Sequence, residues 1–354
     1  MIKFDLQKVE RSVLWPKDLN LSAGGKQPHK FFSDYELVKP ESVVRDDKRE
    51  TTLFTTSAIQ RLEGMEAKGI SLYTVPNFMV YQPVIRMQYV TEVKQGTSTS
   101  FINFAAVSLN GTEKQFIDSA NNLIKLMVNY GATPDKVDIK TSTYQAQWGN
   151  KNFKESFLAL YLGEDQISEV IFMHDFPYMS KRYNIIEVGM GIERLNWLLN
   201  KNKLYLPVFK DFYAISKLDK DQMTALLDCI HTSVLMSASG IIPKYKGQGS
   251  KMRMLMKKLM PLLEANSVDL RQVVKTSYEY WQSTGMNFIN SEQKAYEIVS
   301  KEIERNSHSQ EIAVLESKEN FKINLDINLP DIEFRKRLNK LLYDHQLQKQ
   351  RNGK

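Results

Sequence analysis

The sequence predicts an α+β fold, an antiparallel sheet flanked by helices that carries its site on one face, followed by an all-α C-terminal region. Three observations predict it. Between Tyr81 and Ile186, β-rich runs recur with turn signals between them and one long helical pattern in their midst. From residue 213 onward the pattern is helical, with no strand signal of note. Between the two lies Asn184–Leu199, where a short apolar strand around Ile185 and Ile186 crosses two glycines and becomes a helix with Ile192, Leu195, Leu198 and Leu199 at helical spacing. The expected domains are 1–212 and 213–354.

Composition bounds the function. The 354 residues are 42% hydrophobic and 25% charged, enough for a sizeable core and too apolar for a disordered chain. The first thirty residues lack the apolar run of a secretory signal, and no stretch approaches a membrane span. No membrane partner is expected. One cysteine, Cys229, excludes an internal disulfide framework, and with five scattered histidines it leaves no metal-ligand cluster. A reducing cytoplasm fits best. The net charge of +7 permits a polyanionic partner without requiring one.

Taken in order, residues 1 to about 50 read as an irregular lead-in, broken by Pro16, Gly24-Gly25, Pro28 and Pro40. Tyr81–Val90 and Phe101–Val107 are two β-rich runs joined by a polar Gly/Ser/Thr loop, which is the signature of a hairpin. A helix is expected over Thr112–Tyr130, with Phe116, Ala120, Leu123, Ile124 and Met127 as its core stripe. Strands follow at Asp138–Tyr144, Phe157–Leu162 and Glu169–His174. Helices are then expected at Asp219–Ser239, Lys251–Leu263, Leu270–Thr284, Glu292–Arg305 and Ile332–Leu347, before a polar tail.

The glycine stretch carries the chemistry. Gly189 and Gly191 let the backbone lie close to a flat or charged ligand, Glu187 sits at the lip, and Arg194 projects from the first turns of the helix. Gly189-Met190-Gly191-Ile192-Glu193-Arg194 resembles motif 3 of the class II aminoacyl-tRNA synthetases, and among them the alanyl enzymes, whose pattern is roughly Asp-Thr-Gly-Met-Gly-Leu-Glu-Arg. Three further passages resemble the same family in order. Ser42–Gln60 falls where motif 1 belongs, and Tyr81–Val107 resembles motif 2. Asp228-Cys229-Ile230-His231 with Ser239–Gly249 resembles Asp-His-Ile-Arg followed by Asp-Gly-Val-Met-Pro-Ser-Asn-Glu-Gly-Arg-Gly. The resemblance covers roughly Ser42 to Leu259.

The resemblance implies an ATP-dependent ligase that activates an amino acid, alanine or a similar small one, to an aminoacyl-adenylate. Such chemistry needs cations on the phosphates, a platform for adenine and an anion for the substrate ammonium. Arg86 is then expected on the α-phosphate, and Arg194 on adenine or the γ-phosphate. Phe104, with Phe101 as second choice, closes the other side of the adenine; Gly189 and Gly191 form the ATP floor. Glu187 and His174 belong to the amino acid pocket, Glu187 as the receptor of the amine. Magnesium is expected to arrive with ATP, with no metal cage in the protein. Class II cores dimerise through motif 1, so a homodimer is an expectation.

The departures from the family lie mostly on the acceptor side. Tyr245 replaces an asparagine used in reading the acceptor stem, Gln248 replaces a basic residue, and His231 replaces an arginine. The sequence stops at Lys354, so neither an editing nor a C-terminal oligomerisation domain is expected. Lys244, Lys246, Lys251, Arg253, Lys257 and Lys258 nonetheless form a basic set suited to RNA phosphates or another acidic acceptor. The acceptor is expected to be a tRNA, a carrier protein or a small molecule. The rival class is a catalytically silent paralogue that binds RNA, an amino acid or a protein partner.

Overall fold

The computed structural model describes residues 31–45, 52–91, 96–129, 132–199, 207–264 and 268–321, with Arg337 and Lys340. Most of the irregular lead-in, part of the motif 1 run, and most of the helix expected over Ile332–Leu347 with its tail lie outside the described residues. Strands form at β1 (Glu36–Leu37), β2 (Phe78–Ile85), β3 (Ser100–Leu109), β4 (Val137–Trp148), β5 (Lys151–Leu162), β6 (Asp165–Tyr178) and β7 (Lys181–Gly191). They make one sheet in the order β1-β2-β3-β7-β6-β5-β4, antiparallel except for β1 beside β2.

The four strands β4 to β7 are longer than the apolar runs within them. Each turns into the next through two residues, Gly149-Asn150, Gly163-Glu164 and Met179-Ser180, and the first residue of each turn has positive φ, at 60°, 65° and 52°. Two-residue turns of this hand match the twist of the flanking strands, so pairing extends to the turn itself. The expected motif 2 strand is shorter than its β-rich run: it ends at Ile85, and Met87–Thr91 forms a 3-10 turn. The Arg86 amide turns to the Thr99 carbonyl at 2.7 Å and its Nε to the Thr56 carbonyl at 2.9 Å, which bends the chain out of the strand.

Strand alternation gives the sheet two distinct faces. The back face bears Phe104, Ala106, Val170, Phe172, Ile186, Val188 and Met190, packed against helix α2 (Glu113–Asn129) and the C-terminal helices. The expected stripe of α2, Ala120, Leu123, Ile124 and Met127, is buried there. The front face bears Phe78, Val80, Ala105, Val107 and Ile185, covered by helix α1 (Arg61–Ala67) through Leu62 and by Ala58 and Ile59. With both faces covered, β2 is buried along its whole length, whereas the edge strand β4 is largely exposed.

After β7 the chain enters helix α3 (Ile192–Leu199) without a turn. Gly189 and Gly191 are strand residues, because β7 stays paired with β3 through Asn103↔Gly191. The two glycines that the strand crosses are therefore its own last residues, and the passage to the helix is direct. Helices α4 (Lys210–Ile215), α5 (Lys220–Ala238), α6 (Gly247–Glu264), α7 (Leu270–Gln282) and α8 (Glu292–Phe321) follow. Asp219 caps α5 by accepting the Gln222 amide at 2.8 Å while the Gln222 side chain reciprocates, a capping box. Helix α8 runs past Arg305 because no glycine or proline intervenes before Pro330. Helix α5 is buried almost throughout, and its Leu226, Ile230 and Val234 share one continuous core with Met79, Phe104 and Val188 of the sheet.

Candidate active site

The C-terminal end of β7 forms the floor of a cavity of about 500 Å³ on the front face. Gly189 and Gly191 make that floor, with Arg86, Phe101, Asn103, Glu169 and Arg194 among the walls. A Cβ on Gly189 would meet the Glu169 Cγ at 3.5 Å and the Asn103 Oδ1 at 3.7 Å; on Gly191 it would meet the Phe101 ring at 3.5 Å. These are ordinary contacts, so sterics inside the protein do not demand glycine. The missing side chains instead leave bare backbone open to a ligand.

Arg86 is half-buried just past the end of β2. Its Nε donates to the Thr56 carbonyl at 2.9 Å, and its Cζ lies 5.2 Å from the Phe101 ring centroid. The guanidinium is thus aimed by a backbone carbonyl and an aromatic face, which fixes a planar cation at the cavity wall. Arg194 is held differently. Its Nη2 pairs with Asp165 Oδ1 at 2.6 Å, its Nε reaches the Gln166 carbonyl at 3.5 Å, and its Cζ lies 5.2 Å from the Trp197 ring. It borders the cavity with part of its charge already met by Asp165.

Three expected site residues lie elsewhere. Phe104 points to the back face, where it is fully buried against Phe32 and Tyr81, because it pairs across from Met190 while Asn103 and Ala105 pair with Gly191 and Gly189. Phe101, on the same side as the glycines, is the ring that lines the cavity. His174 also faces back: its ring lies 4.0 Å from that of Phe172, and its Nε2 is 2.9 Å from Ser156 Oγ. Burial lowers its pKa. Glu187 is on the front face but is not at the lip. It is buried beneath the segment that leads into α1, where its Oε1 accepts the Ser57 hydroxyl at 2.7 Å and the Ile59 amide at 3.1 Å. Burial raises its pKa to about 7, with Ser57 pulling the other way.

Several residues that matter to the site carried no clear signal in the sequence. Glu169 stands opposite Gly189 on β6, half-buried, accepts from Gln166 Nε2 at 3.1 Å, and has its pKa raised by burial. An acidic residue opening an otherwise apolar strand was the available signal, but its partner strand was not legible. Glu193 is buried under the cavity wall and takes the Ile102 amide at 2.9 Å and the Tyr280 hydroxyl at 2.8 Å, and burial raises its pKa to about 7. Asp228 of α5 receives the Thr99 amide at 2.9 Å and the Thr99 hydroxyl at 2.5 Å. The helical region therefore grips the residue just before β3, next to the cavity wall residue Ser98.

The basic set is not one uniform surface. Lys244 and Lys246 are exposed, and Lys251 and Lys257 are partly buried. Arg253 does not offer its charge to solvent: it pairs with the buried Glu302 at 3.4 Å and lies 4.3 Å from the Tyr245 ring. Lys258 donates to the Val90 carbonyl. Gln248, where the family has a basic residue, ties α6 to the Arg45 and Leu53 carbonyls at 2.8 and 3.1 Å. His231 lies in the core, 4.3 Å from the Trp281 ring. Among the described residues no group of three or more His, Cys, Asp or Glu side chains is placed to hold a metal, and no helix is long and apolar enough to cross a membrane.

The fold and the cavity together define an α+β protein with a mostly antiparallel sheet, compatible with a class II synthetase-like core. No protein-family model matches the chain. It is similar to an alanine–tRNA ligase of Sulfurisphaera tokodaii, with 21% identity over 343 residues that cover 78% of this chain and 38% of the relative. The similarity is distant, and it points to a synthetase-like relationship. The chain spans well under half the length of that relative.

Proposed function

We propose that the chain is an amino acid adenylating ligase. A substrate carboxylate oxygen attacks the α-phosphorus of ATP, the bond from that phosphorus to the bridging oxygen of the β-phosphate breaks, and pyrophosphate leaves. The aminoacyl group then passes to a tRNA or to a non-tRNA acceptor. One observation carries the reading: Arg86, aimed by Thr56 and Phe101, opens onto bare backbone at Gly189 and Gly191 in a cavity large enough for a nucleotide.

In this reading Arg86 binds the α-phosphate and the charge that builds there in the transition state. Phe101 takes the adenine role first expected of Phe104. Arg194 borders the nucleotide from the cavity wall, where Asp165 holds its Nη2. Magnesium, when bound, screens the phosphate charge and arrives on the nucleotide. Lys244 and Lys246 are exposed cations suited to an acidic acceptor. A homodimer and a cytoplasmic setting belong to the same proposal.

A silent paralogue that binds RNA, an amino acid or a protein is the second reading, favoured by the ion pair that engages Arg194 with Asp165. Amino-acid-dependent ATP–pyrophosphate exchange across the standard amino acids, with and without tRNA, separates the two. Exchange that Arg86→Ala lowers by about 100-fold or more supports the ligase. Folded protein that exchanges with no amino acid under either condition selects the silent reading.

A further inference from the structure

We propose that Glu169 receives the ammonium group of the substrate in this cavity, and that Glu187, which stands where the synthetase motif has its amine-binding aspartate, is a structural carboxylate here. The inference rests on the adenylation reading and specifies how that site holds its substrate.

The two carboxylates share the front face but not the same surroundings. Glu187 pairs with Val107 on β3 and Ile171 on β6, one step further from the cavity than Gly189. Its Oε1 is taken by two donors from the segment that leads into α1, so it anchors that segment to the sheet. Glu187 is absent from the cavity lining. Glu169 is present, directly across from Gly189.

The space above Gly189 is shaped for a small cation. The Glu169 Oε1 lies 3.8 Å, and the Asn103 Oδ1 3.7 Å, from the point where a Cβ of residue 189 would stand. Two acceptors thus converge on one vacancy that only glycine leaves open. Among the described residues Glu169 makes no ion pair; its hydrogen-bond donor is the neutral Gln166 side chain, and the cation whose charge reaches it is Arg86. A carboxylate half-withdrawn from water with one neutral donor is improved by a group that brings several. A primary ammonium brings three N–H donors and a positive charge.

Charge also orders the two ends of the substrate. Arg86 lines the same cavity as Glu169 and its charge acts on that carboxylate, so one small zwitterion can bridge the two, while Arg194 lies at the start of β6 beside Asp165 and Gln166. An amino acid with its carboxylate toward Arg86 and its ammonium on Glu169 satisfies both ends. The ammonium is the α-amine of any amino acid or the side-chain amine of a diamino acid. The chemistry is the same, and the test tells them apart.

The experiment measures exchange kinetics, and calorimetric binding of alanine, alaninol and lysine, for the wild type, Glu169→Gln, Glu169→Asp and Glu187→Gln. Glu169→Gln is expected to raise the KM for the amino acid by about 10- to 100-fold while leaving the KM for ATP unchanged. Glu169→Asp, which keeps the charge, recovers part of the loss. Glu187→Gln leaves the amino acid KM nearly unaltered and shifts thermal unfolding instead. Loss of all three amines in Glu169→Gln assigns the α-ammonium; loss of lysine alone assigns the side-chain ammonium. The proposal is overturned if Glu187→Gln is the variant that loses the amino acid, or if Glu169→Gln raises the KM for ATP and alters the magnesium dependence, which would make Glu169 a metal ligand. Wild-type protein that binds alaninol through Glu169 without any exchange would sink the adenylation reading and keep the ammonium site. Exchange left untouched in Glu169→Gln would do the reverse.

Discussion

The hydroxyl of Tyr280, on α7, donates to the Glu193 carboxylate at 2.8 Å, and that carboxylate takes the amide of Ile102 between the cavity residues Phe101 and Asn103. A residue of the helical region thus holds, through one buried acid, the strand that walls the candidate site. Asp228 gripping Thr99, and Thr232 facing Ser100 at 2.7 Å, reinforce the same junction.

Tyr280→Phe is expected to cost about 1–3 kcal/mol, because it leaves the buried Glu193 one donor short without opening a cavity. Denaturant unfolding measures the loss. The change should also loosen β3 at Ile102, seen as faster amide hydrogen exchange there. Full stability with unchanged protection at Ile102 would show that the Tyr280 hydroxyl does not hold the strand.

Glu193→Gln tests the pH dependence. Burial raises the folded pKa of Glu193 from 4.5 to about 7, so the folded state binds the proton more tightly than the unfolded chain. The associated stability is fully present below pH 4.5 and is lost as pH rises to about 7, a fall of about 3 kcal/mol. Glutamine accepts the same two donors and does not titrate. The difference in unfolding free energy between variant and wild type should therefore grow in favour of the variant over that window. Glu187 contributes a fall of the same sign in both proteins, and a difference flat from pH 4.5 to 7 contradicts the burial effect on Glu193.

Phe101 and Phe104 should separate stability from binding. Phe104→Ala empties a fully buried site on the back face and is expected to cost about 3–5 kcal/mol. Phe101→Ala removes a half-buried ring from the cavity wall, costs about 1 kcal/mol, and weakens nucleotide binding. Nucleotide titration and unfolding of both variants check the pair. The reverse pattern would return the adenine platform to Phe104.

Gly96 packs under the indole of Trp197. At its φ of 77°, a Cβ would come within 2.1 Å of the Trp197 ring. Gly96→Ala is expected to destabilise by about 1–3 kcal/mol, from backbone strain and from displacement of the indole. In a double-mutant cycle with Trp197→Ala the loss in the double variant should be less than the sum of the two single losses, since the indole is then gone. Strict additivity would mean that the loop end is not seated on Trp197.

What the sequence determined is local. Helical spacing located α2 and α5 to within a residue or two, since the apolar stripe repeats inside one element. The motif residues singled out Arg86, Gly189 and Gly191, because their order along the chain is itself the signal; that the three line one cavity is a fact of the tertiary structure. The distribution of side chains between the two faces was decided by tertiary structure. Alternation says that Phe101 and Phe104 lie on opposite faces of β3, but only the register Asn103↔Gly191 says which face holds the site. The same holds for Glu169, which faces the cavity because β6 pairs it with Gly189, twenty residues away in sequence. His174 faces α2 by that alternation, and Glu187 is covered because the Ser57–Ile59 segment folds over it. Register and covering are long-range choices, made by the packing of both sheet faces at once, and no short stretch of sequence contains them.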